Sequence, residues 1–134
     1  MAKAYINRQP DYQDLDLDFI AHPTTGDLYK KTGEDAIKRS VRNLIFTNHY
    51  ERPFQSYIGS GIRKSLFDNM TEFSAMTIKE HVTNVINNFE PRVKLLEVSV
   101  EPDFDRNGYT VQLMYVILNR EQPVITSLFL ERVR

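Results

Sequence analysis

Apolar and polar positions along the chain follow two different periods, one of 2 and one of 3.6. In "DLDLDFI" (residues 14–20), Leu15, Leu17 and Phe19 alternate with Asp14, Asp16 and Asp18. The alternation predicts a half-buried strand with a charged outer face, which also suits a sheet edge. His22-Pro23 and Thr24-Thr25-Gly26-Asp27 then predict a turn, with Leu28-Tyr29 pairing back as a short hairpin. Thr32-Gly33-Glu34-Asp35 has the form of a capping box. It predicts a helix to about Thr47, with Ile37, Val41, Leu44 and Ile45 on one face. Thr77 to Glu80 repeats the capping pattern and predicts a second helix, starting there or earlier, near Ser74, that turns Ile78, Val82, Val85, Ile86 and Phe89 inward. Pro91 should end it, because a residue before proline is pushed out of the helical region.

Between these helices, "NHYERPFQSYIGSG" (residues 48–61) is punctuated by Pro53, Gly59 and Gly61. It reads as a long loop carrying Tyr50, Phe54 and Tyr57, and long ordered loops are often functional. "IRKSLFDNM" (residues 62–70) reads as one or two helical turns with Ile62, Leu66 and Phe67 inward. Three strands follow. Leu96, Val98 and Val100 alternate with Glu97, Ser99 and Glu101. Asp105-Arg106-Asn107-Gly108 signals a hairpin, since Asn-Gly takes the positive backbone angles of tight turns. "YTVQLMYVIL" becomes apolar on both faces, as a central strand should, and "VITSLFLERV" makes the last strand after Pro123. The expected fold is α+β, two main helices packed on one face of a largely antiparallel sheet. Residues 1–13 read as a polar N-terminal arm and residues 14–134 as a single domain.

Composition narrows the function. A chain of 134 residues can bury a core without staples. With no cysteine there is no disulfide, thiolate metal site or cysteine nucleophile. The formal net charge of -1 gives no general attraction to nucleic acid or to an anionic membrane. The N-terminus lacks an apolar stretch of signal-peptide type, and no apolar run reaches membrane-spanning length. These features fit a soluble protein made in a cytoplasm.

Catalytic constellations are weak. Glu51, Glu90 and several aspartates could supply the two carboxylates of a glycosidase, but no spacing marks a pair. Pairing with Arg92 would lower the pKa of Glu90, the wrong direction for a general acid. His22, His49 and His81 are scattered without metal-ligand spacing. No serine stands in a nucleophile elbow. Gly59-Ser60-Gly61 lacks the rest of a phosphate-binding loop and reads as a turn. The basic residues Lys38, Arg39 and Arg42 share a helix with Glu34 and Asp35, which suits a solvated face better than a nucleic-acid contact. No cofactor is expected.

What remains is surface for partners. Aromatic and arginine residues anchor interfaces, and they concentrate in "YERPFQSY" and in Phe89-Glu90-Pro91-Arg92. The alternative is that these segments fold back on the domain, with Arg92 pairing Glu90 or capping the helix. The last strand could also offer an edge for β-augmentation.

The residues in sequence are Asp16-x-Asp18-Phe19, Gly26-Asp27, the helix "AIKRSVRNLIFT", Glu51-Arg52-Pro53-Phe54, Gly59-Ser60-Gly61, Leu66-Phe67 and Phe89-Glu90-Pro91-Arg92. In this order they resemble the baseplate wedge proteins of contractile-tailed phages, the sheath-initiator family, which has a counterpart in type VI secretion baseplates. The resemblance runs over roughly residues 14 to 132. It implies a structural role without catalysis, in a virion tail baseplate assembled in the host cytoplasm. It implies docking of Glu90, Pro91 and Arg92 to the helical core bundle of the other wedge proteins. It also implies strand pairing with tail sheath subunits, with tail tube or hub proteins as further candidate partners, and neither nucleic acid nor membrane. The loop residues Glu51, Arg52, Phe54 and Tyr57 join the expected partner-binding set. The family pattern has glycine before Glu-Arg; Tyr50 stands there in this chain. Members have also been labelled lysozyme-like, so a peptidoglycan-degrading enzyme is one alternative function; the equivalent baseplate component of a type VI secretion system is another.

Overall fold

The computed structural model describes residues 12–132. Most of the expected N-terminal arm, residues 1–11, and the last two residues of the chain lie outside that range. The chain divides into two compact units, Met1–Ile37 and Lys38–Arg134.

In the first unit, β1 (Gln13–Leu15) pairs antiparallel with β2 (Lys30–Thr32). The hairpin continues through a bridge between Ala21 and Leu28 and turns at Gly26, whose φ is 69°. The strand expected over residues 14–20 stops at Leu15, and its faces are reversed. The Asp16 carboxylate accepts from the Asp18 N–H at 3.2 Å and lies 3.5 Å from Lys31 Nζ. A short polar side chain that bonds its own backbone competes with the strand ladder and turns the chain. Asp16 is therefore buried, while Leu15, Leu17 and Phe19 are exposed. Helix α1 (Gly33–Phe46) starts directly after β2, with Glu34 and Asp35 in a first turn where acidic groups suit the helix dipole. Its face of Ile37, Val41, Leu44 and Ile45 is buried as expected.

The second unit contains the rest of α1, the short α2 (Ile62–Ser65), α3 (Glu72–Phe89) and a three-stranded sheet. The sheet is antiparallel throughout, in the order β3 (Val93–Asp103), β4 (Gly108–Ile117), β5 (Pro123–Glu131). The architecture is α+β, as the sequence pattern predicts. Helix α3 lies against β3 and buries Ile78, Val82, Val85 and Ile86. The facing side of β4 is Tyr109, Val111, Leu113, Tyr115 and Ile117, all buried. Two ends of the core differ from expectation. Phe67 is exposed, because α2 stops at Ser65 and the chain turns away. The cap of α3 is Thr71, whose hydroxyl accepts from the Ser74 N–H at 3.1 Å. Thr77 lies inside the helix and donates back to the Phe73 carbonyl.

The sheet departs from simple alternation once. Leu95 pairs with Tyr115 and Glu97 with Met114, so Leu96 is an unpaired bulge residue and is exposed. A bulge adds one residue to one strand and shifts the alternation, so Leu95 takes the place expected of Leu96. In the β3–β4 turn, Asn107 alone has a positive φ, 52°. Gly108 is already in the strand, where a Cβ would lie 2.5 Å from the Leu130 carbonyl oxygen. The Asn-Gly pair thus marks the hairpin, but each residue serves a different need.

Candidate partner-binding site

The end of α3 and the start of β3 form a corner at Glu90, Pro91 and Arg92. Glu90 has left helical geometry at φ -122°, ψ 79°, as a residue before proline must. Its N–H still donates to the Ile86 carbonyl, and the Arg92 carbonyl accepts from the Leu118 N–H at 2.9 Å. The corner is therefore fixed through the main chain on both sides.

Only 2% of the Glu90 side chain is exposed. Its carboxylate receives Arg92 Nε at 2.6 Å on one oxygen, and Arg92 Nη2 at 2.9 Å and Ser40 Oγ at 2.5 Å on the other. Burial alone pushes the Glu90 carboxyl up. The Arg92 and Ser40 hydrogen bonds and the guanidinium charge outweigh it, holding the carboxyl below its ordinary value of 4.5. Such a group stays ionised near neutrality and does not serve as a general acid. The two-pronged geometry locks the Arg92 fork, leaving 23% of its side chain exposed beside an exposed Pro91. Both sequence alternatives meet here: Arg92 does pair with Glu90, and its remaining surface faces outward.

Ser40 is the member of this corner that sequence reasoning misses. Its position carries a signal, since it lies four residues from both Ala36 and Leu44 and so interrupts the apolar face of α1 with a hydroxyl.

The loop between α1 and α2 is closed at its base. Asn48 and Ser60 form a parallel bridge, and Ser60 Oγ donates to the Ile45 carbonyl at 2.7 Å. Gly59, at φ 151°, packs where a Cβ would sit 2.6 Å from the Asn48 carbonyl. The Gly59-Ser60-Gly61 run is thus a close-packed anchor, with Ser60 buried. Glu51 is exposed, and its carboxylate accepts from the Asn48 N–H at 2.8 Å. Arg52 is half-buried and Phe54 fully exposed. Tyr50, 86% exposed, has φ 67° and Phe54 has φ 66°. The left-handed region costs a side chain about 1–2 kcal/mol. Tyr50 thus adopts, at that cost, a conformation that glycine takes freely. Tyr57 leans on Phe89, ring centroids 6.2 Å apart, and so brings one end of the loop beside the Glu90 corner. Phe89 is accordingly half-buried at the end of the α3 stripe.

Among the described residues no cluster of His, Asp or Glu could hold a metal ion. No helix among them is long and apolar enough to cross a membrane. Glu101, Asp103 and Asp105 line an open cavity of about 410 Å³ at the β3–β4 turn, where Asp103 accepts from the Arg106 N–H.

Residues 31–122, which include every one of these site residues, match the family described as baseplate wedge protein gp25. The chain is 27% identical over 113 residues to the baseplate wedge protein gp25 of Enterobacteria phage T4, covering 84% of this chain and 85% of that protein. A chain in the baseplate of the anti-feeding prophage superposes with a TM-score of 0.72 at 25% identity, over 84% of this chain and 90% of that one. A putative tail lysozyme from Geobacter sulfurreducens shares the fold, with a TM-score of 0.63 at 23% identity over 73% of this chain and 91% of that one.

Proposed function

The chain belongs to the baseplate wedge protein gp25 family, and from that membership we propose that it docks to the other wedge proteins at Glu90-Pro91-Arg92 and starts sheath assembly by strand pairing. It is a structural component of a tail baseplate. The roles of its surfaces are our reading.

The observation that carries the docking reading is the division of labour at the corner. Glu90 is almost wholly buried and orients Arg92, while Pro91 and the outer part of Arg92 stay exposed, as a surface for a partner would. A rigid, pre-paired corner loses little freedom on binding. Tyr57 and Phe89 extend this surface toward Glu51, Arg52 and Phe54.

Strand pairing is supported by the sheet order. β5 is an outer strand, and so is β3. The Leu96 bulge disturbs β3, as bulges do where an edge is to be kept unpaired. β5 runs in unbroken register with β4 from Pro123 to Glu131, and is the better template for a strand from a sheath subunit. Tail tube or hub proteins are further neighbours in this reading.

We assign the chain no catalytic role. The likeness to a putative tail lysozyme is one of fold, and the ionised, arginine-bound Glu90 is unsuited to protonating a leaving group. The test is sheath growth on baseplates carrying Ser127→Pro, a change within β5, once circular dichroism shows that the variant folds. Baseplates that form but carry no sheath are the expected result. Normal sheath growth would overturn strand pairing at β5, and clearing of a peptidoglycan suspension by the purified chain would restore the enzyme reading.

A further inference from the structure

Two consecutive turns shape the loop that follows α1. The Glu51 N–H donates to the Asn48 carbonyl at 3.3 Å, and the Gln55 N–H to the Arg52 carbonyl at 3.4 Å. Tyr50 and Phe54 are therefore each the third residue of a four-residue turn, and both have positive φ. With Pro53 before it, the second is the type II pattern, which favours glycine at its third position. The chain places a large aromatic ring at both positions.

No ring contact among the described residues repays that choice. Both rings are exposed, and neither stacks on another ring among the described residues, whereas Tyr57 in the same loop rests on Phe89. The base of the loop is held by the Asn48–Ser60 bridge, the buried Ser60 and the close-packed Gly59. Strain that persists in an otherwise over-determined segment points to function. The charges point to a class of partner. The Glu51 carboxylate is engaged by Asn48. Arg52, between the two aromatics, has no ion-pair partner among the described residues. Tyrosine, phenylalanine and arginine on a preorganised loop have the composition of an interface hot spot.

We propose that Tyr50 and Phe54 are paired anchors that insert into an apolar groove of another wedge protein, whose rim carries a carboxylate to receive Arg52. The proposal rests on the wedge-docking reading and deepens it, giving the surface that begins at the Glu90 corner a pair of aromatic anchors at its other end. Because the turns hold both rings outward before contact, the partner meets them without ordering the loop. The formal net charge of -1 disfavours a nucleic acid as occupant.

The experiment compares wild type with Tyr50→Gly, Phe54→Gly and Arg52→Glu. It measures melting of each isolated chain, and its incorporation into wedge complexes purified from cells producing the full set of wedge proteins. Both glycine variants should melt about 1–4 °C higher, because turn strain is relieved. Their incorporation should nevertheless fall at least about tenfold. Arg52→Glu should melt like wild type and also incorporate poorly. Gains in stability opposed to losses in assembly are not produced by a merely structural role. Glycine variants that melt lower, or variants that incorporate like wild type, overturn the proposal. So does incorporation abolished by nuclease treatment, which would assign the rings to nucleic acid. Dimerisation of the isolated wild type that Phe54→Gly abolishes would assign them to a second copy and overturn it equally. If wild type itself is absent from the complexes, the docking reading fails first; if it is present and the variants match it, only the paired-anchor inference fails.

Discussion

Replacing Arg92 by alanine should destabilise the isolated chain by about 2–4 kcal/mol at pH 7. The substitution removes both guanidinium hydrogen bonds to the Glu90 carboxylate and leaves those from the Ser40 hydroxyl and the Arg92 backbone N–H. Stripping one partner from a fully buried ion pair costs about 3–5 kcal/mol, most of it for the charge left behind. Arg92 is 23% exposed, so water can reach the vacated site and reduce the cost. The pH dependence has a distinct sign. In the wild type Glu90 is held below 4.5, so its contribution is present above that value and lost as pH falls through the lowered one. In the variant burial dominates and lifts the carboxyl above its ordinary value. Glu90 then costs most at neutral pH, and the cost shrinks as pH falls and the group takes up a proton. Urea unfolding of both chains at pH 7 and pH 5 measures this, with the gap narrowing at pH 5. Adding Glu90→Gln to the variant should recover part of the loss at pH 7. A cost below about 0.5 kcal/mol, or one independent of pH, would refute the claim that Arg92 neutralises a buried carboxylate.

Gly59→Ala should cost more than about 2 kcal/mol in urea unfolding, because its Cβ would lie 2.6 Å from the Asn48 carbonyl at a φ of 151°. Thr71→Ala should cost about 1 kcal/mol by removing the acceptor for the Ser74 N–H, and Thr77→Ala much less, since Thr77 caps nothing. Tyr109→Phe should stabilise by about 1 kcal/mol, raising the melting temperature, because the buried Tyr109 hydroxyl has no hydrogen-bond partner among the described residues.

Features set by local periodicity were legible in the chain. The stripe from Ile37 to Ile45, the stripe from Ile78 to Ile86, the break at Pro91 and the central β4 each follow from spacing within a few residues. What escaped depends on contacts between distant residues, or on a side chain competing with its own backbone. The alternation from Asp14 to Phe19 is as regular as that of any strand here, yet the Asp16 carboxylate and Lys31 turn the chain and reverse its faces. The Leu96 bulge is set by β4 across the sheet, which a strand read alone does not reveal. Glu90 and Arg92 were evident as a candidate pair. Their third partner comes from a helix fifty residues earlier, and no local pattern links Ser40 to them. The strain at Tyr50 and Phe54 is a backbone property that residue type conceals.

The central claim is that the chain joins wedge to sheath through separate surfaces. It is tested most directly by electron cryomicroscopy of an assembled baseplate containing this chain and its first sheath ring. The account predicts a sheath strand hydrogen-bonded along β5 between Pro123 and Glu131, and a wedge partner packed against Pro91 and the exposed part of Arg92. A β5 edge left open to solvent beside an ordered sheath ring, with the Glu90 corner facing no wedge protein, would contradict it.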